Sequence, residues 1–390
     1  MRLSMNTRYA VIHASFWGAY GSLWALYRAR ARIQRLCERA GRRRDLVRDA
    51  ALGVPLPRGL PRFSTRGPAS KNRHGAMALL SLPRRCACSH GSCRCRARSC
   101  WARASRFIGA FLSSTPPFQN AMAMDANRCG IPVVYGFCRG VGSVSLRRRG
   151  AALGFVLERH APTLLLPVFA ALTACGLIAM AGFRLPERPD EAADRPAERR
   201  SIAAVRSHPR FALTLLGCMF FFLTHTISNT YMNALVGKAG GTASAVGTSL
   251  AISAVLELPA MTLVSRLQKR FSPGFFLRFA AGAEVVKFLI FYLARSMPLI
   301  YLGHCMQFFQ FAVYAPATVY YVAAALPERD QLKGQSLIYV AGSGLGGALG
   351  NLLGGRLLDR SGIQAALLLG TVSAAASLLT FCLSTREDSR

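Results

Sequence analysis

The sequence predicts an all-α membrane protein made of two pseudo-symmetric halves of six helices each. Three observations lead there. Apolar runs of about 20 residues, the length that crosses a bilayer as a helix, recur with short loops through the second half. Two short motifs recur at nearly the same offset. The composition is 52% hydrophobic with a mean hydropathy of +0.27 and only 17% charged residues, too oily for an ordinary soluble domain.

The repeat defines the halves. "RYAV" at Arg8–Val11 matches "RFAL" at Arg210–Leu213, and "GFVLERHA" at Gly154–Ala161 matches "GRLLDRSG" at Gly355–Gly362. Both pairs are separated by about 200 residues, so internal duplication accounts for the chain length. We therefore expect a first half over 1–183, a cytoplasmic link over 184–210 and a second half over 211–390.

In the first half, Arg8–Tyr27 reads as the opening span. The tract 28–106 then departs from the pattern. It contains 20 Arg, one Lys and three acidic residues, and six of the twelve cysteines. More than half of the net charge of +32 is concentrated there. The repeat places this tract opposite 230–308, which is apolar. Length is kept while hydrophobicity is lost, as a shifted reading frame in GC-rich coding DNA would do. The expected slip lies near Tyr27 and its restoration near Arg106; a smaller one accounts for "LRRRGAA" at Leu146–Ala152. The alternative is a disordered polar segment.

The cysteine-rich stretch "RRCACSHGSCRCRARSC" at Arg84–Cys100 has neither paired CxxC spacing nor HxxxH, so thiolates and His90 do not form a recognisable zinc motif. Its arginines lack the interleaved aromatics of a nucleic-acid surface. We expect no metal, no cofactor and no nucleic-acid partner. The glycines of "GSGLGGALG" lie inside an apolar run and do not follow a strand, which excludes a dinucleotide fingerprint, and no other motif points to an enzyme.

In the second half six spans are expected, at Phe211–Val236, Ala243–Val264, Phe275–Ala294, Leu299–Leu326, Gln335–Leu358 and Ile363–Leu383. Basic residues concentrate in Ser265–Gly274, Pro327–Gly334 and the central link. The intervening loops hold only Lys238, Arg295 and Arg360. The first set belongs to the cytoplasm by the positive-inside rule. Gly342, Gly346, Gly350 and Gly354 share one helix face, where small residues allow close packing in lipid.

Ionisable side chains inside spans are costly and mark function by default. Glu257 in the eighth span and Lys287 in the ninth are such residues. Glu284, one turn before Lys287, offers an internal pair as the plainer explanation. Asn229, Tyr231 and Asn233 end the seventh span, and Tyr314, Tyr320 and Tyr321 occupy the tenth. They line a polar cavity or anchor helix ends at the interface.

"YGFCRGVGS" at Tyr135–Ser143, "AVLELPAMTLVSRLQKRF" at Ala254–Phe271 and "GSGLGGALGNLLGGRLLDRSG" at Gly342–Gly362, with the two-half layout, resemble the major facilitator superfamily. The likeness covers Arg8–Tyr27 and Phe107–Leu383 and is narrower for its lactose permease-like branch of proton-coupled sugar and nucleoside symporters. It implies a monomeric, multi-pass transporter of the bacterial inner membrane that moves a small polar solute with a proton by alternating access. It implies that Arg139 binds solute hydroxyls, that Glu257 contacts solute or proton, and that Lys287 stands in for an arginine of proton coupling. Gln307 and Gln310 occupy positions where that branch carries a titrating histidine and glutamate, and His304 lies one turn earlier as a substitute. The fourth-span acid is replaced near Ala121, with Asp125 one turn away, and Leu146 stands where a stacking tryptophan is expected. These departures argue against lactose-like specificity. An exporter of drugs or metabolites, or a membrane remnant that no longer transports, are the competing readings.

Overall fold

The computed structural model describes residues 4–39, 112, 115–146, 165–185 and 209–385. Among these residues every regular element is helical. The chain divides into two compact units, one holding the described residues up to 185 and the other those from 209.

The first unit contributes four described helices: α1 (Met5–Arg39), α2 (115–128), α3 (135–146) and α4 (Leu165–Ala181). α1 does not stop at Tyr27 but continues through the first arginines to Arg39. The rest of the arginine-rich tract, residues 40–106, lies outside the described residues. So do Gly154–Ala161, the first-half copy of the second repeat motif, and Arg147–Arg149. The turn between α2 and α3 is closed by Asn127. Its side chain accepts from the Val133 amide at 2.8 Å and donates to the Val133 carbonyl at 3.2 Å, and Gly130 supplies the left-handed residue there (φ 72°).

The second unit runs α5 (Pro209–Thr230), α6 (Met232–Lys238), α7 (Ala243–Leu267), α8 (Pro273–Leu293), α9 (Met297–Cys305), α10 (Phe311–Ala325), α11 (Glu328–Tyr339) and α12 (Gly347–Ser384). Local sequence explains the boundaries. Ser272 caps α8, accepting from the Phe275 amide at 3.2 Å, with Pro273 in its first turn. Glu328 and Asp330 place acids at the positive end of α11. Gly362 adopts φ 77° and ψ −179°, a backbone setting reserved for glycine. It cuts α12 into two rods.

Four stretches here are long and apolar enough to cross a membrane: Pro209–Thr230, Ser244–Leu267, Met297–Ala325 and Asp330–Ser384. The last holds two crossings because of the break at Gly362. α8 is a further helix of 21 residues and carries Arg278, Glu284 and Lys287 within its apolar run. The six expected spans of this half are thus present as helices. Three are interrupted in ways the hydropathy does not announce. The seventh span splits at Tyr231 into α5 and α6. The tenth span breaks into α9, a 3-10 turn at Met306–Phe308 and α10, with Gln310 out of helical geometry (φ −96°, ψ −95°). The eleventh widens into a π-helix over Val340–Gly346, a form common at functional sites.

The packing is that of a protein in lipid. Ile178 and Val255 are 74% and 72% exposed, whereas Glu257, Glu284 and Lys287 are buried. Apolar side chains face out and charges face in. The glycine stripe packs as expected. A β-carbon on Gly346 would lie 2.2 Å from the Met219 carbonyl oxygen, and one on Gly350 2.6 Å from that of Leu223. Gly342 and Gly354 meet Phe222 and Tyr231 of the same neighbouring segment. In each unit the first helix packs on the last. Ser15 of α1 faces Gly176 of α4, and Ser377 of α12 donates to the Gly217 carbonyl of α5 at 3.0 Å. Such interhelical bonds average about 0.6 kcal/mol in membranes.

Candidate solute-binding site

The charged residues that the sequence singles out in the second unit form one hydrogen-bonded chain. Glu257 lies on α7 in the turn before Pro259, whose ring nitrogen leaves the Val255 carbonyl without its helical donor. Lys287 lies on α8. Gln307 and Gln310 belong to the break between α9 and α10. The Gln307 amide nitrogen donates to Glu257 Oε1 at 2.9 Å, and its oxygen accepts from Lys287 Nζ at 3.1 Å. Lys287 Nζ also lies 3.4 Å from the oxygen of Gln310. All four residues are buried. An ammonium and a carboxylate are therefore joined through a neutral amide that satisfies both.

His304 completes one side. Its Nδ1 lies 3.2 Å from Ser253 Oγ, one turn before Glu257 on α7, and its ring rests 5.1 Å from that of Phe291. Glu284 is fully buried, and neither of its carboxylate oxygens has a hydrogen-bond partner. Lys287 donates to both glutamines.

Asn229 stands apart. It is exposed and bonds within its own helix, donating to the His225 carbonyl at 2.8 Å. Thr230 Oγ1 bonds to Asn351 at 2.9 Å and the Tyr231 hydroxyl donates to the Asn351 carbonyl at 2.6 Å. The tyrosines of the tenth span serve helix packing. Tyr320 bonds Ser265 at 3.0 Å, Tyr321 bonds Thr214 at 3.0 Å, and Tyr314 stacks on Phe221 with centroids 3.9 Å apart. His225, which the sequence reading passed over, stacks on Phe311 at 4.3 Å beside Gln310.

In the first unit Arg139 is 6% exposed on α3. Its Nη1 donates to Ser143 Oγ at 2.9 Å, and the guanidinium lies over the Trp17 ring at 4.1 Å. Ala121 is buried on α2, and Asp125 is bound by Arg128 at 3.0 Å. Tyr9, His13 and Trp17 recur every fourth residue along α1, a spacing visible in the sequence that marks one helix face. Among the described residues no group of His, Cys, Asp or Glu is placed to hold a metal ion; the Cys86–Cys100 cluster lies outside them.

A family profile, described as the MFS_1-like family, matches residues 102–369. The chain belongs to the MFS_1-like family. The maltose permease of Geobacillus stearothermophilus is 26% identical over 256 residues, 65% of this chain and 64% of that protein. The match therefore spans less than two thirds of this relative's length. Among solved structures, the superfamily transporter FucP in its outward conformation superposes with a TM-score of 0.66 at 15% identity, covering 98% of this chain and 99% of that one; it is described elsewhere as the Escherichia coli fucose:proton symporter. The human organic anion transporter MFSD10 gives a TM-score of 0.66 at 17% identity over 97% and 98% of the two chains. The MFS_1-like chain is thus an all-α, multi-pass membrane protein with the major facilitator fold, in a superfamily of transporters rather than enzymes.

Proposed function

We propose that this protein is a secondary active transporter that couples a proton to the movement of a small polar solute by alternating access, in a bacterial inner membrane. The observation that carries this reading is the buried chain Glu257–Gln307–Lys287 at the break in the tenth span. Broken helices at membrane depth are where transporters of this kind place solute and ion sites. The maltose permease and fucose:proton symporter among its relatives agree with a sugar-like solute.

The chemistry follows from the amide. As a carboxylate, Glu257 only accepts, and it occupies the Gln307 amide nitrogen. Protonation removes the charge that holds this donor and supplies a hydroxyl proton instead. The Gln307 amide is then available to a solute hydroxyl, while Lys287 stays bound through the glutamine oxygens. Proton and solute thereby favour the same state of the site, which is what symport requires.

The test is uptake by the full chain reconstituted in vesicles with an imposed pH gradient, against neutral sugars, nucleosides and sugar acids. Gradient-driven accumulation that disappears in Glu257→Gln is expected. Accumulation that is unchanged in this variant, or indifferent to the gradient, overturns the coupling role. Failure to carry any solute favours the remnant.

A further inference from the structure

A second polar cluster lies within the first unit, and among the described residues its charge is unbalanced. Arg139 is buried, yet its contacts are a hydroxyl, Ser143 Oγ, and an aromatic face, Trp17. That uses one of the five guanidinium N–H donors. The acids among the described residues of this unit are Asp125 and Glu38. Asp125 is engaged by Arg128. Glu38 is 21 residues beyond Trp17 along α1, roughly 30 Å at the helical rise.

Around Arg139 further polar groups are buried without hydrogen-bond partners among the described residues. Neither ring nitrogen of His13 has a hydrogen bond, nor has the Trp17 indole nitrogen, nor either side-chain atom of Gln119. His13 and Gln119 are 1% and 0% exposed. The cluster is held together rather than loose. The Tyr9 hydroxyl donates to the Gln119 carbonyl at 2.7 Å, the Tyr135 hydroxyl to Asn120 at 2.8 Å, and the His13 ring packs between Tyr9 and Tyr135. Trp17 and His13 crowd Gly142, one turn after Arg139, so closely that a β-carbon there would lie 2.6 Å from the indole.

A buried cation without a counter-ion is costly, and unsatisfied donors beside it add to the cost. A solute hydroxyl would occupy donors but leave the charge. An anionic group would do both, and a guanidinium fork fits a carboxylate with two parallel bonds. One guanidinium balances one negative charge, which favours a carboxylate over a phosphate ester carrying nearly two.

We infer that the Arg139–Trp17–His13–Gln119 cluster recognises a carboxylate on the transported solute, so that the solute is a polar organic acid such as a sugar acid. Arg139 supplies the charge and the fork, Trp17 the surface that holds the guanidinium flat, and His13 and Gln119 the hydrogen bonds to neighbouring hydroxyls. This inference rests on the chain being a solute carrier.

D-glucuronate and D-glucose differ only in a carboxylate against a hydroxymethyl group, and serve as probes. Their binding to the purified full chain is measured by titration calorimetry. Glucuronate is expected to bind at least about tenfold more tightly, the scale of a charge-assisted pair over a neutral one. Arg139→Gln erases the preference. Should Arg139→Gln fail to fold, Arg139→Lys carries the test, lowering glucuronate affinity by about tenfold and shrinking its preference over glucose. Equal or tighter binding of glucose, no binding of glucuronate, or a preference that survives both variants overturns the inference. Gradient-driven glucose uptake without preference for the acid removes this inference and leaves the transport reading intact. Glucuronate binding without uptake of any solute removes the transport reading, and with it the assignment of the carboxylate to a transported solute.

Discussion

Gln307 donates its amide to Glu257 at 2.9 Å while accepting from Lys287 at 3.1 Å on its other side. Gln307 thus links the two charges through one neutral side chain. Gln307→Leu therefore leaves a carboxylate and an ammonium each short of a buried partner. A loss of about 2–6 kcal/mol is expected, from roughly 1–3 kcal/mol for each of the two groups. A lowered thermal midpoint in detergent would register it, and a midpoint equal to the wild type would show that the bridge is not populated.

Lys287 sits one turn after Glu284, whose oxygens have no hydrogen-bond partner. Removing the ammonium with Lys287→Met leaves two buried carboxyls in its neighbourhood, and a cost of about 3–5 kcal/mol is expected for breaking a buried charge arrangement. The double variant Lys287→Met with Glu284→Gln removes one of them and is expected to regain about half of that loss. Unfolding midpoints of the single and double variants decide. Strict additivity would mean that the two groups do not sense each other.

The glycine seam predicts a contrast within one segment. Gly346→Ala drives a methyl into the Met219 carbonyl at 2.2 Å, whereas at Gly344 the nearest atom is 3.7 Å away. Gly346→Ala is expected to cost about 1–3 kcal/mol through overpacking, and Gly344→Ala to be neutral. Comparable midpoints for the two variants would contradict the close approach of α5 and the eleventh span.

Gly362→Ala probes the break between the last two crossings. Its φ of 77° with extended ψ is costly for any residue with a β-carbon, about 1–3 kcal/mol. No neighbour lies within 4 Å of a β-carbon there, so crowding contributes nothing and the loss reports backbone conformation alone. Gly362→Asn, whose tolerance of positive φ is confined to the left-handed helical region, is expected to lose as much. Equal midpoints for wild type and Gly362→Ala would show that the turn relaxes.

Much of this architecture was legible because bilayer-length runs leave few options. α5, α7 and α8 begin within two residues of where hydropathy places them. Glu257 and Lys287 were legible for the opposite reason, since charged groups at span depth need a function or a partner, whereas Gln307 and Gln310 were reached only through the family resemblance. The break at Met306–Gln310 was not, because "MQFFQF" is continuous and apolar enough to pass as helix, and the departure is a matter of backbone angles. Asn229 was grouped with the site by its polarity, but at the end of α5 it has its own helix to bond. His13 and Trp17 went unnoticed because an aromatic stripe reads as packing until its nitrogens are seen to lack partners.

The seam of four glycines has a mechanical consequence. With carbonyl oxygens of α5 almost touching the backbone opposite, no lipid tail or water molecule fits along this line, and sliding would require the pair to separate first. α5 and the Gly342–Gly354 segment then behave as a single beam. In the proposed transport cycle the strain falls on the looser joints instead, the broken α9–α10 strut above all, so a covalent tether across the beam is expected to leave uptake running while one across the strut stalls it.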